Sequence, residues 1–101
     1  MSDHQHYLLR LIPPRPTFPF DMDEREQALM AEHAAYTRVH FEAGRIIVYG
    51  PVLDANLPYG VAVLDVADEA EARAVGEQDP TVLAGLHTFD VSPMRVAAIR
   101  P

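Results

Sequence analysis

His33 and Asp79 are the residues of this chain whose types and settings favour proton chemistry. His33 lies midway along a helical stretch, Asp23 to Ala43, on a stripe shared with Leu29, Tyr36 and His40. That stripe is expected to face the core, so an ionisable ring stands where an apolar one would normally pack. Asp79 precedes Pro80, which restricts the aspartate backbone to extended geometry. An imidazole with the ordinary pKa of about 6.5 can take and return a proton at neutral pH. A carboxylate bonded to its far nitrogen would fix the tautomer and stabilise the imidazolium. Taken singly, each residue has a plainer reading. His33 alone reads as a satisfied core histidine, and Asp79 alone as the start of a turn.

Other residues could complete such a site. Tyr36, one turn from His33, could orient a substrate oxygen or donate a proton, although aromatics at this spacing more often pack. Arg15 could bind a carboxylate or phenolate through two parallel bonds, or simply be a solvated loop residue. Phe18 and Phe20, in the same proline-rich segment, read as plugs at the core edge or as a flap over a pocket, with Phe18 the candidate substrate contact. His40 is seven residues beyond His33, about 10 Å along the helix, too far to share a metal without a third ligand. His4 and His6 as a pair could bind a metal weakly, although a frayed tail is the plainer reading of that end. No metal or cofactor is expected, and no glycine-rich phosphate loop is present. Ser92 has no histidine partner at a readable spacing.

The elements that must position these residues follow from periodicity and punctuation. His6 to Ile12 reads as a strand stopped by Pro13-Pro14-Arg15-Pro16, and the segment to Phe20 reads as extended. Asp21 or Asp23 caps the first helix, Glu24 and Glu26 suit its first turn, and Gly44 ends it. Arg45 to Tyr49 is a strand ended by Gly50-Pro51. Tyr59 to Val66 is a central strand whose continuous apolar run suggests burial on both faces or nearly so. A second helix, Asp68 to Glu77, carries a capping-box variant in Asp68 and Glu71. Asp79-Pro80 opens a single turn closed by Gly85. Leu86 to Val91 and Met94 to Ile99 read as two last strands. The order strand, helix, strand, strand, helix, strand is that of a ferredoxin-like α+β sandwich, with helices on one face of an antiparallel sheet.

The chain has 101 residues, which suits one domain, 1–101. A formal charge of −7, with eight scattered arginines and no lysine, argues against a nucleic-acid partner. No cysteine means no disulfide or thiol nucleophile. No apolar run approaches the ~20 residues of a spanning helix, and no signal peptide is visible, so a cytoplasmic location without membrane attachment is expected. A sheet with one free face in so small a chain calls for a partner, and a homodimer is expected.

His33-Ala-Ala-Tyr36, then Glu42-Ala-Gly44-Arg45, Gly50-Pro51, Asp79-Pro80 and Val91-Ser-Pro93 form an ordered set that resembles the YciI-like (YCII-related) family. Pro14-Arg-Pro-Thr-Phe18 and Glu32-His33 also resemble a bacterial branch of it. The resemblance covers nearly the whole chain and implies a ferredoxin-like dimeric α+β barrel. It also implies a site built from His33 and Asp79. His40 departs from the family, which more often has an apolar residue there. The expectation is cofactor-independent acid/base chemistry, an elimination or isomerisation on a small organic molecule, aromatic rings included. The alternative is a non-catalytic, small-ligand-binding or accessory dimer.

Overall fold

A computed structural model describes residues 5–101. Strand β1 (Gln5–Ile12) places Tyr7, Leu9 and Leu11 on its buried side by simple alternation. A short helical turn, α1 (Phe18–Asp21), precedes the long helix α2 (Glu24–Glu42). Then come β2 (Ile46–Val52), β3 (Tyr59–Val66), helix α3 (Glu69–Glu77), the turn α4 (Pro80–Leu83) and β4 (Thr88–Met94). All pairings are antiparallel and the sheet order is β2-β3-β1-β4, the ferredoxin-like arrangement.

Asp23, rather than Asp21, caps α2. Its side chain accepts from the Glu26 amide (2.8 Å), and the Glu26 carboxylate accepts from the Asp23 amide (3.0 Å), a complete capping box. Gly44 leaves the helix at φ 84°, a conformation that costs a side chain with a Cβ. The capping of α3 is looser: Asp68 accepts from the Glu71 amide, but Glu71 reaches back to the Ala67 amide.

Three expectations need correction. The segment before α2 is not extended to Phe20, because Phe18–Asp21 forms a helical turn with Pro19 in its first positions, where proline is tolerated. Gly50-Pro51 does not end β2, which runs on to Val52. The two expected C-terminal strands are one, Thr88–Met94, running through Pro93, and residues 95–101 form no strand. The last two differences share one cause. β2 and β4 are the edge strands, where the missing N–H of a proline can face outward at no cost to the ladder.

The core lies on the helix side of the sheet. Leu64 and Val66 of β3 are almost completely buried, together with Ile46, Ala72, Val75 and Val91. The apolar run of β3 is buried on the helix side and half-buried on the other, where Val61 and Val63 alternate outward. With Leu8, and with Val48 at 57% exposure, they form an apolar patch on the open face.

Candidate functional site

α3 lies on β1, β3 and β4, whereas α2 makes its contacts with α4 and β2. The reason is in the side chains. Gly76 of α3 sits so close to β4 that a Cβ there would come within 2.5 Å of the Phe89 ring. The inward side of α2 carries larger and more polar groups: Glu26, Met30, His33, Tyr36, Thr37 and His40. Its apolar residues Val39 and Phe41 are instead exposed. The gap left between α2 and the sheet is a cavity of about 450 Å³, walled by Leu9, Leu11, Ile46 and Ala62 of the sheet and bordered by His33, Asp79 and His87.

His33 and Asp79 meet at this cavity, with Nδ1 to Oδ2 at 2.6 Å. Asp79 is 4% exposed and has the extended backbone its proline neighbour requires, φ −61° and ψ 130°. Its other oxygen accepts from the Thr81 amide (2.9 Å) and the Thr81 hydroxyl (2.7 Å). Burial pushes the Asp79 carboxyl up, but the hydrogen bonds from His33 and Thr81 more than reverse this, leaving it below its ordinary value. An ionised Asp79 selects the His33 tautomer with hydrogen on Nδ1, so Nε2 keeps its lone pair. This arrangement can accept a proton and hold the resulting cation.

A third ionisable group borders the same cavity. His87 is 5% exposed, and its Nδ1 is fully buried with no hydrogen-bond partner. Its ring packs edge-on against Phe18, centroids 5.1 Å apart. Burial first, and then the nearby His33, lower its pKa to about 4, so it is neutral at pH 7. The sequence carries a signal for it. Alternation along the last strand puts residues 87, 89 and 91 on one side, and Phe89 and Val91 belong to the core.

The YCII-related domain matches residues 7–95. The chain belongs to the YCII-related family. Among curated proteins, none matches it by sequence. It is similar in structure to TftG, a 5-chloro-2-hydroxyhydroquinone dehydrochlorinase from Burkholderia phenoliruptrix AC1100 solved with 2,5-dihydroxybenzoquinone. That match has a TM-score of 0.69 at 19% identity and covers 89% of this chain and 93% of that one. A variant of SnoaB, a cofactor-independent oxygenase from Streptomyces nogalater, aligns with a TM-score of 0.51 at 16% identity over 99% of both chains. At these identities the likenesses establish the fold.

The remaining candidates of this YCII-related chain divide. Tyr36 borders the cavity, but its hydroxyl donates to the Val75 carbonyl of α3 (2.6 Å), and burial, with the Asp79 charge, pushes it up to about 12. It ties the two helices together and has no donor left for a ligand. Arg15 is not at the cavity. Its guanidinium grips both Glu26 oxygens (2.8 Å each) and Asp21 (2.8 Å), and lies over the Phe18 ring. Those bonds hold the Glu26 carboxyl down at about 2, helped by the Asp23 amide. Phe18 is buried at the cavity, whereas Phe20 is 84% exposed and plugs nothing. His40 accepts from Arg45 at Nδ1 (2.7 Å) and borders a separate recess. His4 lies outside the described residues, and His6 is not in a frayed tail but in β1, between β3 and β4. Among the described residues no three His, Asp or Glu side chains gather as a metal site would need, and no helix is long and apolar enough to cross a membrane.

Proposed function

We propose that this chain is a homodimeric acid/base enzyme that removes a proton from a small ring-bearing molecule and completes an elimination or an isomerisation without a cofactor. The observation that carries the reading is the 2.6 Å contact of His33 with a buried, ionised Asp79 at the wall of an apolar cavity. His33 Nε2 takes the proton from an acidic O–H or C–H. The electron pair left behind either forms a π bond and expels a leaving group, or recaptures a proton at another ring position. Asp79 orients the imidazole and stabilises its cation, and such general-base help contributes roughly 10²–10⁴-fold. The cavity is about three times the ~150 Å³ that holds a benzene ring, so a substituted one- or two-ring molecule fits and a polymer does not. Phe18 supplies an apolar contact to the ring.

The dimer rests on the open sheet face. Leu8, Val48, Val61 and Val63 form an apolar patch that a second copy would cover, as small domains with one bare sheet face require. The competing reading is a binding module that holds the same ligand without converting it. The commitment of Tyr36 and Arg15 to structural bonds favours that reading.

Proton exchange separates the two. Hydroxylated and chlorinated monocyclic aromatics incubated in D2O with the wild type should exchange the ring hydrogens ortho and para to a hydroxyl, through the keto tautomer whose sp3 ring C–H His33 deprotonates, and His33→Ala should slow this at least 100-fold. Equal exchange in both proteins would remove His33 as the base.

A further inference from the structure

The histidines at the cavity sit in opposite settings. His33 has a carboxylate on Nδ1, which puts its hydrogen there and leaves an acceptor at Nε2. His87 has no carboxylate. Its Nδ1 is fully buried and unpartnered, and since the residue borders the cavity, Nε2 is the nitrogen left to meet it. Orphaned buried N–H groups are rarer and costlier than orphaned acceptors. The imidazole hydrogen of His87 therefore belongs on Nε2, with the bare lone pair on the buried Nδ1.

We infer that His87 is a substrate-binding residue: its Nε2–H donates to an oxygen of the ligand, the oxygen on which negative charge grows when His33 withdraws a proton. This rests on the acid/base reading above and narrows its substrate class. The ligand is a small ring bearing a hydroxyl or carbonyl oxygen conjugated with the position that loses the proton. The substrate X–H bond breaks, the proton goes to His33 Nε2, and the electron pair delocalises onto the oxygen held by His87. A neutral imidazole suits this task, since it stabilises the oxyanion without giving up its own hydrogen. The depressed pKa agrees with the geometry: burial and the neighbouring His33 oppose a second charge, against the weaker pull of Asp79 and Glu26. Phe18, edge-on to the ring, and Arg15, over Phe18 and bonded to Glu26, hold this wall of the cavity in place.

The test uses the intact protein, imidazole nitrogen-15 NMR and two probes, 2,5-dihydroxybenzoquinone and para-xylene, a ring of similar size without oxygen. At pH 7, His87 should be neutral with its hydrogen on Nε2, and that resonance should shift on addition of the quinone. His87→Phe keeps an aromatic ring against Phe18 and should bind the quinone at least 10-fold more weakly than wild type, with para-xylene binding unchanged. His87→Gln, which restores an N–H donor, should recover part of the loss. A hydrogen on Nδ1, or a quinone affinity that is the same with and without His87, including none in either protein, overturns the inference. The dyad has its own readout in the same spectra. Hydrogen on His33 Nδ1 that persists in His87→Phe upholds it whatever becomes of His87, and its absence in the wild type defeats the dyad.

Discussion

α3 and α2 cover the same face of one sheet, yet α3 lies against it and α2 stands off. α3 meets the strands with Ala72, Val75 and Gly76, all buried, and Gly76 leaves no room for a Cβ beside Phe89. α2 turns Glu26, His33, Tyr36, Thr37 and His40 inward and leaves Val39 and Phe41 exposed. Groups that need hydrogen bonds cannot sink into an apolar core, so each has a specific partner. Glu26 has Arg15, His33 has Asp79, Tyr36 has the Val75 carbonyl and His40 has Arg45. The α3 side gains stability from close packing. The α2 side gives up packing for a cavity and a set of placed polar groups.

Substitutions on the two helices should therefore fail differently. The largest effect expected is on the α2 side: His33→Ala should lower turnover about 10²–10⁴-fold with an unfolding midpoint near that of the wild type, checked by steady-state kinetics and thermal unfolding. On the α3 side, Gly76→Ala should cost about 2–3 kcal/mol by urea unfolding, as overpacking against an aromatic ring does. A Gly76→Ala protein as stable as the wild type would show that α3 has slack.

Acid should sharpen the contrast. His87 has a folded pKa of about 4 against about 6.5 unfolded, so between those values the unfolded chain binds more protons. Its contribution is present above pH 6.5 and lost as pH falls toward 4, a change on the order of 1–2 kcal/mol once solvent screening is allowed for. His40, lowered by burial and by Arg45, acts with the same sign. Asp79 and Glu26 lose their stabilisation only at lower pH, below the ordinary carboxylate values. Unfolding midpoints recorded from pH 7 to pH 4.5 should fall, and should fall less in His87→Phe. The smallest effect is at the surface of α2, where Arg38→Ala breaks an exposed pair with Glu42 and should leave the urea-unfolding midpoint close to that of the wild type.

The sequence made the element order, the bounds of α2, the Gly44 stop and the two candidate residues His33 and Asp79 legible, because each rests on local periodicity or local backbone chemistry. What it hid depends on tertiary position. Pro51 and Pro93 look like strand breakers until their strands are known to be edges. Arg15 looks free until Glu26, eleven residues on, is seen turned inward. Tyr36 looks like a donor to a ligand until α3 presents the Val75 carbonyl. His87 was readable by the same reasoning as His33, an ionisable ring on a core-facing stripe, but the stripe is short and begins just after a turn.

Asp79→Asn tests the central claim most directly. Asparagine caps a helix turn as well as aspartate does and can still accept from Thr81, so α4 should survive and only the carboxylate facing His33 is lost. Ring-hydrogen exchange measured at pH 7 should fall at least 100-fold in this variant, with the cavity and the unfolding midpoint little changed. Exchange at the wild-type rate would contradict the account, because His33 would then be working without its partner.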